Sequence, residues 1–143
     1  MKEIMVAYWS GTGNTAAMAT ILGKGIQDGG ATAKVVSVED IKADDLKDYP
    51  VFALGCPSMG NETLEETVME DFVTEVESFA SGKKIGLFGS YGWGDGEWMR
   101  NWVALMEEAG AQVYGGEDAI CMNEPDSEAE AKLEALGKEL AAL

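Results

Sequence analysis

The chain has 143 residues, enough for one compact domain with a real core and too few for two. With 26 acidic and 10 basic residues its net charge is −16, which argues against nucleic acid or an anionic membrane as a partner. It contains no His, so the usual neutral-pH general base and His-based metal sites are excluded, and no apolar run approaches membrane-spanning length.

In chain order, Ile4-Met5-Val6-Ala7 reads as a buried first strand rather than as the apolar part of a secretion signal. It breaks through Tyr8-Trp9-Ser10-Gly11-Thr12-Gly13-Asn14-Thr15 into a helical pattern with Met18, Ile21, Leu22 and Ile26 on one face, ending near Gly29-Gly30. Ala33 to Val38 alternates in part, as an edge strand does. Ile41 to Lys47 is a short helical or turn segment. Val51 to Gly55 reads as a central strand and runs into Cys56-Pro57-Ser58-Met59-Gly60-Asn61-Glu62. Residues 64–79 predict an acidic amphipathic helix with Leu64, Val68, Phe72, Val76 and Phe79 inward. A fourth strand, Lys84 to Ser90, leads into Tyr91-Gly92-Trp93-Gly94-Asp95-Gly96. The next helix runs from about Glu97 to Ala109, burying Trp98, Trp102 and Leu105 or Met106. A last strand lies within Gln112 to Cys121, where Gly115-Gly116 suggests a break or bulge. Asp126 caps a final helix that packs Leu133, Leu136 and Leu140.

Strands alternating with helices mean an α/β fold: a doubly wound, five-stranded parallel sheet in the order 2-1-3-4-5, helices on both faces, one domain over 1–143. In that order a ligand sits beyond the carboxyl ends of the strands, where the winding reverses. The loops after the first, third and fourth strands therefore converge, and they are the unusual ones here. After the first strand, a helix N-terminus is surrounded by Ser10, Thr12, Asn14 and Thr15, all neutral donors. Many neutral donors suit the terminal phosphate of a mononucleotide. A P-loop needs a Lys that is missing. Gly11-x-Gly13-x-x-Ala16, with Glu39 or Asp40 further on, matches a dinucleotide fingerprint formally, but its intervening positions carry donors instead of bare backbone. The other two loops offer the soft Met59 and the indole of Trp93, which together could hold a flat ring.

On these residues the chain resembles the flavodoxins, specifically the short-chain clostridial type. The motifs are Tyr8 to Thr15, Gly55-Cys56-Pro57-Ser58-Met59-Gly60, Leu87 to Gly96 and Asn123-Glu124-Pro125-Asp126. The resemblance covers essentially the whole chain. It implies a non-covalently bound FMN and a low-potential one-electron carrier, not an enzyme, working mainly between semiquinone and hydroquinone. It places Ser10, Gly11, Thr12, Gly13, Asn14 and Thr15 around the phosphate, with Ser90 and Ser58 joining. Met59 and Trp93 would cover the two faces of the ring, with Tyr91, Gly92, Gly94 and Asp95 beside them. Glu62 would accept from the flavin N3–H. The Gly60-Asn61 peptide would turn over on reduction, so that the Gly60 carbonyl meets N5–H. One added hydrogen bond of about 1 kcal/mol would move a one-electron potential by tens of millivolts.

Charge supplies the second half of that expectation. No Lys or Arg lies in residues 8–23, 48–82 or 85–99. An anionic reduced ring beside the phosphate, Glu62 and Asp95 is destabilised, and each ~1.4 kcal/mol lowers its couple by ~59 mV. Glu62, Glu65, Glu66, Glu70 and Asp71 could steer redox enzymes with basic docking surfaces. The expected partners include neither nucleic acid nor an inserted membrane, and the chain is expected to be a monomer. Cys56 and Cys121, isolated thiols, point to a reducing, cytoplasmic setting.

The rivals are an acidic docking module without cofactor and a small nucleotide-dependent oxidoreductase. The second lacks the length and the His for substrate chemistry. A phosphoryl-accepting module would need acids where Tyr8-Trp9-Ser10 and Gly55-Cys56 stand. A phosphatase built on Cys56 would need an Arg where Glu62 stands.

Overall fold

Alternation along the strands decides how the chain is layered. In the computed structural model, which describes residues 2–60 and 62–143, β1 (Glu3–Tyr8) turns Ile4 and Val6 to one face of the sheet and Met5 and Ala7 to the other. β2 (Thr32–Ser37) is largely exposed, as suits an edge. β3 (Val51–Gly55) is buried throughout and β4 (Lys84–Tyr91) at all but its two ends, as central strands covered on both sides must be. β5 (Gln112–Met122) forms the other edge. The strands run β2-β1-β3-β4-β5, every neighbour parallel, which is the order expected from the sequence.

Four helices cover the sheet: α1 (Asn14–Asp28), α2 (Met69–Glu77), α3 (Glu97–Glu108) and α4 (Ser127–Ala141). α1 and α4 bury Met18, Leu22, Ile26, Leu133, Leu136 and Leu140 with Ile4, Val6 and Phe88. α2 and α3 bury Met69, Phe72, Val76, Trp98 and Trp102 with Met5, Phe52 and Leu54. The two helices of the first pair touch backbone to backbone. A Cβ on Gly25 would lie 2.5 Å from the Glu134 carbonyl oxygen, and one on Gly137 would lie 2.6 Å from the Leu22 carbonyl oxygen. Asp126 caps α4 as expected, accepting from the Ala129 N–H at 2.8 Å.

Two elements differ from the expectation. α2 begins at Met69, not near residue 64, and Met69 and Val73 take inward positions, while Leu64, Val68 and Phe79 are only half-buried. The cause is Glu65. Its carboxylate turns back onto the N–H groups of Thr67 at 2.9 Å, Val68 at 2.7 Å and Met69 at 3.0 Å, so the chain is held in turns until those donors are satisfied. β2 ends at Ser37, and Val38, expected at the end of that strand, instead opens a one-turn 3₁₀ segment, Val38–Asp40; the short helical segment expected within Ile41 to Lys47 is a second one, Ala43–Leu46. At Gly115-Gly116 the anticipated bulge is present: Leu87 pairs with Gly115 and Gly89 with Ile120, so two steps on β4 correspond to five on β5.

Candidate functional site

The carboxyl ends of β1, β3, β4 and β5 surround a cleft of about 210 Å³. Gly11, Thr12 and Asn14 line it from the first loop, Ser58 and Met59 from the third-strand loop, and Ser90, Tyr91 and Gly92 from the fourth. Eight predicted residues thus share one cavity. α1 starts here with Gly13 in a left-handed conformation, φ 99°, no side chain capping its end and no acid in its first turn. The backbone N–H groups of Asn14, Thr15 and Ala16 therefore have no partner within the helix, and they sit at the positive end of its dipole. The nearest cation along the helix is Lys24. An anion with several oxygens fits such a cradle.

Behind the cleft wall, Ser10 and Thr15 shape the loop. Ser10 Oγ accepts from the Gly13 N–H at 3.1 Å, which folds the first loop back on itself. Thr15 is buried, and its hydroxyl lies 3.0 Å from that of Ser90, joining the start of α1 to the end of β4. Met59 is half-buried and bridges to Thr63, which closes the third-strand loop into a tight turn. Gly60 has φ 51°, a conformation glycine adopts without strain. Asn61 lies outside the described residues. Trp93, one residue beyond the cleft-lining Gly92, is 60% exposed, an unusual position for so large an apolar ring.

Glu62 is buried and holds a left-handed backbone, φ 57°. Its Oε1 accepts from Gly96 N–H at 3.2 Å and Glu97 N–H at 3.0 Å, the first donors of α3. It thereby joins the Met59 loop to the Trp93 loop, a role not visible in the sequence. Its Oε2 accepts from no described residue. Asp95 is not the uncompensated acid expected: Arg100, one residue past the cation-free stretch, pairs with it at 2.9 Å. Glu65 is not part of an exposed acidic face either. It is buried and capped, and although burial acts to raise its pKa, hydrogen bonds from the Thr67 hydroxyl and the Met69, Val68 and Thr67 N–H groups bring it below the usual value.

Three residues of the cleft wall, Trp9, Pro57 and Asn123, stand in the motifs quoted from the sequence but were given no place in the site. Asn123 follows β5, whose loop also reaches the site, and its φ of 60° marks a sharp turn off the strand. A fourth, Trp98, acts from below. Its indole N–H donates to the Cys56 carbonyl at 3.2 Å, and its ring meets that of Tyr91 at 5.6 Å. Cys56 itself is fully buried, and burial pushes its thiol up to about 12, while Cys121 is pushed up to about 11, also by burial. Neither is a thiolate nucleophile near neutral pH. Among the described residues no cluster of Cys, Asp and Glu is arranged to hold a metal, and no helix is long and apolar enough to cross a membrane.

A doubly wound sheet with a neutral anion cradle and an exposed indole at its switch point defines a nucleotide-binding α/β protein of flavodoxin-like architecture. The flavodoxin family model matches residues 6–136. The flavodoxin of Megasphaera elsdenii is 46% identical over 129 residues, covering 90% of this chain and 93% of that protein. The flavodoxin of Clostridium beijerinckii is 45% identical over 136 residues, covering 95% and 97%. The solution structure of two-electron reduced Megasphaera elsdenii flavodoxin superimposes with a TM-score of 0.89, at 45% identity over 98% of this chain and 99% of that one. The chain belongs to the flavodoxin family, and to its short-chain clostridial type. It is an FMN-dependent electron carrier rather than an enzyme. The residues present fit that cofactor: an uncapped helix end with hydroxyls around it and no cation nearby suits a phosphate, and Met59 and the exposed Trp93 would be available to a flat ring.

Proposed function

We propose that this protein is a low-potential, single-domain carrier that works mainly through the lower of the two one-electron steps FMN supplies. The observation that carries the reading is the cation-free cradle at the start of α1, with no Lys or Arg between Tyr8 and Gly23. Ser10, Thr12, Asn14 and Thr15 would hold the phosphate with Ser58 and Ser90, through hydroxyls, an amide and backbone N–H groups. Gly11 and Gly13 let the backbone approach. Met59 and Trp93 would cover the ring, with Tyr91, Gly92 and Gly94 shaping the fourth-strand side. Glu62 offers Oε2 to a ring N–H while Oε1 stays on α3. The Gly60-Asn61 peptide would present the Gly60 carbonyl to the ring edge.

No cation offsets the phosphate locally, so added negative charge on the ring is disfavoured and the second electron enters at a lower potential. Arg100 moderates this by neutralising Asp95. The exposed acids Glu66, Glu70 and Asp71 would meet basic surfaces of redox enzymes, and the protein would act as a cytoplasmic monomer. Stepwise anaerobic reduction, followed by visible absorption against redox standards, tests the reading. Two resolved one-electron steps, the second far lower, are expected. A single two-electron step would overturn the low-potential role, and failure to take up FMN would overturn the site.

A further inference from the structure

The loop that carries Trp93 is held by little of its own. Gly92, Gly94 and Gly96 punctuate it, and Gly94 and Gly96 have φ of 86° and 95°. Among the described residues, none of positions 92–95 makes a backbone–backbone hydrogen bond. A glycine-rich segment without such bonds is free to move unless side chains fix it. On the inner side Glu62 bonds the N–H groups of Gly96 and Glu97. On the outer side the tether is Arg100, the only arginine in the chain.

Arg100 stands in the first turn of α3, where the helix dipole disfavours a positive charge. The acids around it supply the compensation. Its Nη1 donates to the Asp95 carbonyl at 3.1 Å and to Glu117 Oε2 at 3.3 Å, and its Nη2 donates to Asp95 Oδ1 at 2.9 Å. Glu117 sits on the β5 bulge. A guanidinium can reach a main-chain carbonyl and two carboxylates at once because its donors are spread in a rigid plane, which one ammonium cannot do.

We propose that Arg100 is a positioning residue for the cofactor site: it ties the Trp93 loop to α3 and to the β5 bulge, and its charge cancels that of Asp95 beside the ring. This rests on the FMN reading above for its consequence, though not for the tether itself. Two effects follow and they separate. Geometry controls how firmly Trp93 is held, and charge controls the potential of the lower step.

Amide exchange at Gly96 and Glu97, the loop-end N–H groups that Glu62 holds, tests the tether in the FMN-free protein. In Arg100→Gln that exchange should quicken about fivefold while α4 is unaffected, and the dissociation constant for FMN should rise about two- to fivefold. Arg100→Lys should keep the lower potential near that of the unaltered protein but still exchange fast. Arg100→Gln should lower that potential, and adding Asp95→Asn should restore it without slowing exchange. Because Arg100 is exposed, these variants keep the core, and far-UV circular dichroism confirms that they fold. Unchanged exchange in Arg100→Gln, or exchange in Arg100→Lys as slow as in the unaltered protein, would overturn the proposal. If the unaltered protein bound no FMN, the functional reading would fall while the exchange result still decided the tether.

Discussion

The α1–α4 face and the loop end of the sheet are held by opposite means. Across the face, Gly25 and Gly137 bring two helix backbones into direct contact, and the apolar side chains around them are buried. At the loop end, single side chains do the holding: Glu62 on α3, Trp98 on Cys56, Arg100 on Asp95, Thr15 against Ser90. Packing of the first kind tolerates almost no change in volume. Polar tethers of the second kind let loops keep one geometry while each remains only a small distance from release. A carrier whose ring must be gripped yet stay reachable needs this division, because the scaffold cannot move and the loops must be adjustable.

The sharpest way to break the contrast is Gly25→Val. Its Cβ would fall 2.5 Å from backbone oxygen of α4, which no side-chain rotation relieves. The helices must separate, and the expected loss is about 3 kcal/mol, read as a lower urea midpoint. At the loop end the largest effect expected is from Trp98→Phe. The ring stays, but the Cys56 carbonyl loses its donor and a small void opens, costing about 2 kcal/mol. FMN should also bind less tightly, since the Met59 loop begins at that carbonyl, whereas in Gly25→Val the loss should be confined to stability. Thr15→Val is smaller. It keeps the shape and removes one member of a buried hydroxyl pair, for a loss of about 1 kcal/mol in unfolding and a weaker FMN titration. Equal losses of FMN affinity in all three would erase the distinction between scaffold and loop.

Much of the scaffold was legible because it follows from periodicity. The apolar runs Ile4–Ala7 and Val51–Gly55 fall in β1 and β3, and Asp126 caps α4 as its position before the helix suggests. The loop before α1 was legible for a similar reason: Ser10 to Thr15 are contiguous, and one strand and one helix place them. What escaped depends on contacts between distant residues. Gly25 and Gly137 look like weak helix positions until the two helices are laid together. Arg100 neutralises Asp95 only because α3 turns it back onto its own entry loop. Asn123 stands in a quoted motif, but its place at the cleft was not foreseen, because β5 runs on to Met122 and carries its end there.

Glu65 shows how side-chain capping defeats a periodicity argument, and it gives the smallest predicted effect. Leu64 and Val68 have helical spacing, yet the carboxylate between them takes the first donors and delays the helix to Met69. The same hydrogen bonds, outweighing burial, hold its pKa below the ordinary 4.5. A carboxyl depressed on folding contributes stability at pH values above its unfolded pKa, and that contribution is lost as pH falls through the folded value. Glu65→Gln removes the charge and should cost about 1 kcal/mol at pH 7. The gap between the two proteins should then close as pH falls below about 4.5, because the unfolded chain takes up a proton there first and the folded carboxyl only at lower pH. Urea midpoints measured from pH 7 to pH 3 check this. A gap that stays constant across the range would mean that Glu65 acts by shape alone, and the late start of α2 would then owe nothing to its charge.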